Sequence, residues 1–548
     1  MKNLYWVAFL LFPLSLAAQS DNIDLGNKQY NLLDRLDIRT QNDTLLGFTS
    51  FKPYSRKKMT ERVQWIDSMD QKGLLPFRLT PTDKYNIRQM LSDNWEWSSN
   101  DVYTRKPLLG VFYRRPGAFY AVNVPDFKLT INPVLNLQYG AANDGTGSIY
   151  QNTRGIVLRG VIANKVGFYT YLTDNQERDP AYVRDFVTKH DAVPGAGFYK
   201  DFSTNAYDYF DARGGIFFNA AKYFDIQFAY DKLFIGNGYR SLFLSDFSSN
   251  YLYLRISTRI WKFDYENIIS QTIAPFPPFH LQRELRPQNY MMMHHLSLQV
   301  TRWLNLGFYE NIMEDGSHGL QLSYLNPVIF YRSIEQQLGS VGKANIGFEV
   351  KANIAKSVQV YGQLLINEFV TKEVLHYRKG NFANKQAFQL GLKYIDVFNI
   401  KNLDLQFEAN YIRPFTYTNY DSTTNFTHYN QPLAHPMGAN LKEFIGILRY
   451  QPVPRLYITG KLMHNLQGLD SAGFNMGGDV FRSYNTRPRD YGFFIGSGIP
   501  TKTTYAALNL SYELIPNTFL DLNTTYRTNV FFYTLGFRMN IRQREFNF

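Results

Sequence analysis

Apolar and polar residues alternate with a period of two through most of this chain. Between 357 and 369, Val358, Val360, Gly362, Leu364 and Ile366 share one face, and Gln359, Gln363 and Asn367 share the other. The same rhythm sets Leu403, Leu405, Phe407, Ala409 and Tyr411 against Asp404, Gln406, Glu408 and Asn410. It recurs with Leu520, Leu522 and Tyr526 against Asp521, Asn523 and Arg527. A period of two is the mark of a strand, whose successive side chains point to opposite faces. About eight pairs of such blocks follow one another, joined alternately by tight turns and long polar loops.

Within a bilayer only helices and closed sheets satisfy every backbone hydrogen bond, and a spanning helix needs ~20 apolar residues, which no run after the leader approaches. The pattern therefore predicts an all-β transmembrane barrel of the outer-membrane type, with its apolar face on lipid and its polar face on water. Single-chain barrels of this kind have an even strand number and both ends in the periplasm. Short connections fall near 164–165, 221–223, 260–261, 301–303, 354–357, 396–401, 451–454 and 513–517, and are assigned to the periplasm. Long ones fall near 140–153, 175–208, 235–250, 272–293, 314–343, 370–385, 414–440 and 467–503, and are assigned outside. The segment 322–331 resembles another strand, but counting it would invert every later turn. Leaving it out gives about 18 strands. The apolar LNPVIFY of loop 314–343 then needs cover away from lipid. The lumen is the expected place, where the loop would narrow or close the channel, unlike an open porin.

The first 19 residues read as a signal peptide: Lys2, an apolar run from Leu4 to Leu16, then small Ala17 and Ala18. Residues 20–115 change period. Met59, Val63, Ile66 and Met69 recur at helical spacing, with Ser55 as N-cap and Gly73 as stop. Thr80 caps Pro81 at the start of a second helix whose buried stripe is Ile87, Met90, Leu91 and Trp95, and Leu32, Leu33 and Leu36 imply a third. This region is expected on the periplasmic side or plugging the lumen from there. The barrel takes 116–548. Its last strand carries TLGFRMNI, with Thr534, Gly536, Met539 and Ile541 at the offsets of the signal read by the barrel-assembly machinery, and Phe546 and Phe548 give an aromatic end.

Composition sharpens the picture. The 40 Tyr and 44 Phe help bring aromatics to 16% of the chain, as girdles at two membrane interfaces require. Mean hydropathy is only −0.32, as alternating faces should give. Zero Cys removes lipoprotein anchoring, disulfides, thiolate metal sites and Cys catalysis. The net charge of +12 is spread over loops, at Arg178, Arg184 and Lys189 among others. It suits solvated loops, and also anionic lipopolysaccharide or acidic glycan. Nothing resembles a nucleic-acid module.

Candidate chemistry is sparse. His294 and His295 lie near Ser297, but adjacent strand residues face opposite ways and no acid stands at a diagnostic spacing. His318 and Asp315 are no better placed, and no His pair has metal-ligand spacing. Gly236 and Gly238 form a lone G-x-G with no helix after it, and read as a turn that brings Tyr239 and Arg240 close to the wall. No cofactor, metal or catalytic residue is expected.

Two loops share a Tyr-Arg-Ser core, FIGNGYRSLFLSDFSSNYLYLRI over 234–256 and SYLNPVIFYRSIEQQLGS over 323–340. Tyr239, Arg240, Ser241, Asp246 and Arg255 in the first, and Asn326, Tyr331, Arg332 and Glu335 in the second, set aromatic rings beside charges. Sugars are bound by such combinations, through stacking and directed hydrogen bonds. The same contacts would equally pin the loops inside the barrel. GNGYRSLFLSD, NYLYLRI, TRIWKFDYEN and LNPVIFYRS also resemble the Wzi capsule-assembly family, within it the Bacteroidota branch of the gliding-motility protein RemB. That resemblance implies a helical N-terminal part, a barrel near 18 strands, and an outer-membrane lectin or motility component at the cell surface. It implies no catalytic residue. The expectation is a non-enzymatic barrel that binds or organises surface polysaccharide. A gated transporter for a small or hydrophobic solute is the alternative, with the helical part as hatch and 314–343 as gate, and an outer-membrane hydrolase is the third class.

Overall fold

The computed structural model describes residues 21–548 other than 42, 44, 100–102, 106, 278–284, 340, 341, 369 and 376, so the signal-peptide expectation lies outside the described residues. Eighteen antiparallel strands close into a barrel. They are β1 (Phe127–Ala142), β2 (Gly147–Ile162), β3 (Val166–Arg178), β4 (Tyr207–Ala221), β5 (Phe224–Asp231) and β6 (Tyr251–Ile260). Next come β7 (Phe263–Ile273), β8 (Gln288–Gln299), β9 (Leu304–Asp315), β10 (Lys343–Ile354), β11 (Val358–Glu368) and β12 (Lys385–Tyr394). The last are β13 (Leu403–Ile412), β14 (Leu441–Val453), β15 (Leu456–Leu469), β16 (Ile499–Ile515), β17 (Thr518–Arg527) and β18 (Val530–Met539). β18 pairs with β1, Phe532 opposite Ala142 and Met539 opposite Leu135, so the ladder has no open edge. The alternation sorts faces as expected: Phe407 and Leu520 are exposed to the lipid side, while Glu408 and Asp521 are buried inside.

Each expected short turn is found, and seven of the eight expected long loops. The exception is 140–153, where β1 and β2 continue to a tight connection at 143–146. Gly140 looks like a loop residue but belongs to the wall. A Cβ there would lie 1.7 Å from the Tyr533 backbone oxygen, so glycine is what allows β1 and β18 to close together.

Three helices, α1 (Gln29–Thr40), α2 (Arg56–Gln71) and α3 (Pro81–Asp93), pack around Leu33, Leu36, Val63, Ile66 and Ile87 at the short-turn mouth. Their caps are those read from sequence. Ser55 accepts from Lys58 N at 3.4 Å, and Thr80 and Asp83 form a reciprocal capping box at 3.0 Å each way. The bundle is bolted to the wall. Arg35 joins Asp83 (3.1 Å) to Asp396 (3.0 Å) and Asp404, Lys351 reaches Asp37 (2.8 Å), Lys393 reaches Asp34 (2.6 Å) and Arg159 reaches Glu96 (2.9 Å). Removing one partner of such a pair strands a buried charge, at about 3–5 kcal/mol. The bundle, referred to below as the plug for its place at the mouth, is therefore tied to the wall.

From the opposite mouth, loop 232–250 folds into the lumen and meets the plug. Phe51 and Lys52 pair with Ile235 and Phe234 as a two-stranded ladder, and Gly236 N donates to Ser50 O at 2.6 Å. Loop 413–440 packs beside it, with Tyr417 OH donating to Leu242 O at 2.9 Å and Ser245 N to Leu433 O at 2.7 Å. Leu242, Phe243, Leu244, Phe426 and Leu433 form one core with wall residues Tyr253, Met293 and Tyr309, and the Phe243 and Tyr309 rings stack 4.6 Å apart. Loops 232–250 and 413–440 thus take the place inside the barrel that the sequence reading gave to loop 314–343.

The segment 316–339 corrects the sequence reading. It lies on the outside of the wall. Asn267, His294 and Glu310 pair in register on the lipid-facing side of β7, β8 and β9. They are covered by α4 (Tyr331–Leu338) and the segment before it. Tyr331 sits 4.1 Å from the His294 ring, Arg332 N donates to Glu310 at 3.2 Å, and Tyr265 OH donates to Pro327 O at 2.6 Å. Leu322 and Val328 are 75% and 82% exposed. A polar row on a lipid-facing wall is costly, and the loop replaces it with an apolar surface. LNPVIFY is thus partly a lipid-facing patch and partly a cover.

The residues after β18, Phe546 and Phe548 among them, lie beyond the wall. Asn540 takes a left-handed φ of 53° and the chain turns back up the lumen, with Asn540 N on Asn517 O at 2.9 Å.

Candidate functional site

The nine residues singled out from sequence fall in three places. Tyr239, Arg240, Ser241 and Asp246 lie inside the lumen, on the inserted loop. Gly236, at φ +141°, and Gly238 let it approach the wall: a Cβ on either would sit 2.7 Å from Gln363 Nε2 or 2.6 Å from Glu408 Oε2. In the space this frees, Glu408 accepts from Tyr239 N (2.7 Å) and Arg240 N (3.0 Å), as the sequence reading of G-x-G expected. Arg240 forks onto Glu443 at 2.9 and 3.2 Å, and His435 Nε2 meets the same carboxylate at 2.8 Å. Ser241 Oγ accepts from Phe243 N and Leu244 N at 3.0 and 3.1 Å, which fixes the turn. Asp246 pairs with Arg542. Burial raises its pKa, but the guanidinium outweighs this and holds the carboxyl below its ordinary range. Nearby Lys232 is pushed down to about 7 by burial and by the Arg542 and Arg213 charges.

Arg255 stands apart, in the wall beside the plug. It forks onto Glu266 at 2.6 and 2.7 Å and lies 4.3 Å from the Phe51 ring centroid. Asn326, Tyr331, Arg332 and Glu335 stand on the outer wall, where Arg332 and Glu335 form an ion pair of 2.8 Å along α4. The two Tyr-Arg-Ser loops therefore do not converge. His295 faces inward onto Glu349 at 2.9 Å while His294 faces outward, and Ser297 donates to Asn305 at 2.9 Å.

The long-loop face holds a cluster that sequence reasoning missed. Residues 377–384, 413–440 and 470–498 lock together through backbone hydrogen bonds. Phe382 N reaches Asp490 O (3.0 Å), Gly492 N reaches Lys379 O (2.9 Å) and Tyr484 N reaches Asn419 O (3.2 Å). They hold alternating rings and cations. The Arg487 guanidinium lies 3.5 Å over Phe382, and Lys385 Nζ lies 3.7 Å over Tyr484. Tyr420 and Tyr491 are 43% and 45% exposed beside them, with Tyr491 OH donating to Glu373 at 3.2 Å. Burial and the Glu368 carboxylate raise the Tyr484 phenol, which stays a neutral donor. Rigid rings for stacking beside guanidinium and hydroxyl donors fit a polyhydroxylated, anionic ligand. The signal in the sequence was the Tyr-Arg alternation of YNTRPRDY over 484–491.

No protein-family model matches the chain, and no curated protein matches it in sequence. Among solved structures it is similar to Wzi of Escherichia coli, an outer membrane protein involved in group 1 capsule assembly and a carbohydrate-binding β-barrel. The TM-score is 0.54 at 12% identity, over 96% of this chain and 100% of that one. The Pseudomonas aeruginosa barrels OccK8 (OprE) and OprD align with TM-scores of 0.42 and 0.41 at 7% and 9% identity. They cover 76% and 75% of this chain, and 98% and 94% of their own. The fold is Wzi-like.

Proposed function

We propose that this protein is a non-conducting, non-enzymatic outer-membrane barrel that holds acidic surface polysaccharide on its long-loop face. Under this reading the short turns and plug face the periplasm. The barrel-assembly machinery inserts the wall using Thr534, Gly536, Met539 and Ile541, and lipopolysaccharide surrounds its outer rim. The observation that carries the reading is the rim of Phe382, Tyr484 and Arg487, flanked by exposed Tyr420 and Tyr491, on interlocked loops. The sugar-binding described for Wzi supports it, as does the sequence resemblance to that family. A gate in 316–339 has no support, because that segment lies outside the wall, and a bolted plug makes a poor hatch. In gliding cells, the branch it resembles, the same hold on polysaccharide would make it a surface component of motility.

The test is binding of the detergent-solubilised protein to its own cell's surface polysaccharide. Saturable binding lost in a folded Tyr484→Ala/Arg487→Ala variant, and kept in Tyr331→Ala/Arg332→Ala, is the expected result. Binding lost only in the second variant, or absent from wild type, would refute the reading.

A further inference from the structure

The lumen has two unlike halves. One is packed by the apolar core of loops 232–250 and 413–440. The other is lined by inward-facing Asn136, Gln138, Asn175, Asn509, Ser511 and Asn523, and contains residues 541–548. That segment is not simple filler. All of it except Phe546 remains partly accessible, and its first half is anchored by Arg542 on Asp246 and Arg544 on Glu177 (3.0 Å).

Glu545 places its carboxylate between Lys461, Asn509 Nδ2 (3.1 Å) and Tyr239 OH (3.3 Å). Two residues on, Asn547 gives its side-chain carbonyl to Arg240 at 2.7 Å and its backbone carbonyl to the same guanidinium at 2.6 Å, while its Nδ2 donates to Tyr239 OH at 2.6 Å. Phe548 then enters an aromatic cluster at the long-loop end, 4.8 Å from Phe186 and 5.5 Å from Phe247. The groove thus recognises, in order, a carboxylate, an amide carbonyl and a flat apolar face. A saccharide alternating uronic acid with N-acetylated sugar presents the same three: carboxylate, acetamide and the C–H face of a ring.

We propose that the end of this segment, residues 545–548 beyond the arginine anchor, is an internal ligand. It occupies a lumenal groove for an acidic, N-acetylated saccharide chain, which reaches Tyr239, Arg240 and Lys461 only when that end leaves. This rests on the polysaccharide reading above and adds a second, deeper subsite under competitive control. A tethered competitor acts at an effective concentration in the mM range, so loosening it should raise apparent affinity by about tenfold or more.

The test uses the full chain with Glu545→Ala/Asn547→Ala/Phe548→Ala, which keeps the last strand intact. Its folding is checked by heat-dependent mobility in detergent gels. The probe is a hyaluronan decasaccharide, with a neutral maltooligosaccharide as control. The expected result is at least tenfold tighter hyaluronan binding than wild type, reversed by adding a synthetic peptide of residues 541–548, with no gain for the neutral sugar. Phe548→Ala alone should give a smaller gain, and it is the variant to read if the triple does not fold. Equal affinity in wild type and variant, or hyaluronan binding by neither, overturns the proposal. If wild type still binds its own cell's polysaccharide in that case, only the internal ligand falls; if that binding is also absent, both fall.

Discussion

Replacing Arg240 with Met isolates what holds the inserted loop. The guanidinium donates to Glu443 at 2.9 and 3.2 Å and to Asn547 at 2.7 and 2.6 Å. Met keeps the length and apolar stem but leaves Glu443 buried without its cation. Breaking a buried pair in this way costs about 3–5 kcal/mol. His435 at 2.8 Å and Asn410 Nδ2 at 3.3 Å still bond the carboxylate, so the loss should fall near the lower end, about 3 kcal/mol. Adding Glu443→Gln removes the stranded charge while keeping an acceptor for both neighbours, and should recover about 2 kcal/mol. Equilibrium urea unfolding in detergent micelles, followed by tryptophan fluorescence, measures both variants, and an unchanged slope on denaturant validates the comparison. A single variant within about 1 kcal/mol of wild type, or a double no better than the single, would refute the anchoring argument. The result also governs binding experiments: loss of sugar binding in an Arg240 variant can reflect a loosened loop as well as a lost contact.

Arg35→Ala leaves Asp404 without its cation and Asp83 and Asp396 with Arg39 alone, so the plug should lose about 3 kcal/mol of its seating. Limited trypsin digestion should then cut within α2 in the variant, while wild type resists. On the outer wall, Tyr331→Ala should cost about 3–5 kcal/mol through lost packing, whereas Arg332→Ala, whose ion pair with Glu335 is largely exposed on the Arg side, should cost under about 1 kcal/mol. Folded yield in lipid vesicles compares the two. Lys232, pushed down to about 7, is protonated in the unfolded chain up to its ordinary 10.5. Its buried charge therefore destabilises the folded state below about pH 7, and stability returns as pH rises from there to 10.5. The difference in melting temperature between wild type and Lys232→Met should shift in favour of wild type between pH 7 and pH 10, and a constant difference would rule out this titration.

The wall was legible because its signal is local. Alternation names each strand and its faces, Thr80 and Pro81 name a helix start, and tight turns follow from lengths. What a loop packs against is not local. LNPVIFY needs shelter whether it enters the lumen or lies on the wall. What draws it to the wall is three separate strands carrying Asn267, His294 and Glu310 at outward positions, a pattern visible only once register is known. The inserted loop was half legible, since Gly236 and Gly238 announced a close approach without naming Glu408 or Gln363 as the neighbours. The rim was illegible for a related reason: Phe382, Lys385, Tyr484 and Arg487 lie about a hundred residues apart, and the closed ladder of β11 to β16 brings them together.

The ladder of Phe51 and Lys52 with Phe234 and Ile235 joins a segment rooted at one mouth of the barrel to a segment rooted at the other. It makes the molecule a tie rod as well as a ring. A polymer tugging on the long-loop face loads not only the circumference of hydrogen-bonded strands but also an axial strut that ends in Arg35, Lys351 and Lys393 against the opposite rim. Force entering on one side of the membrane is delivered to the other through the centre of the barrel, and a weakened strut would yield before the wall does.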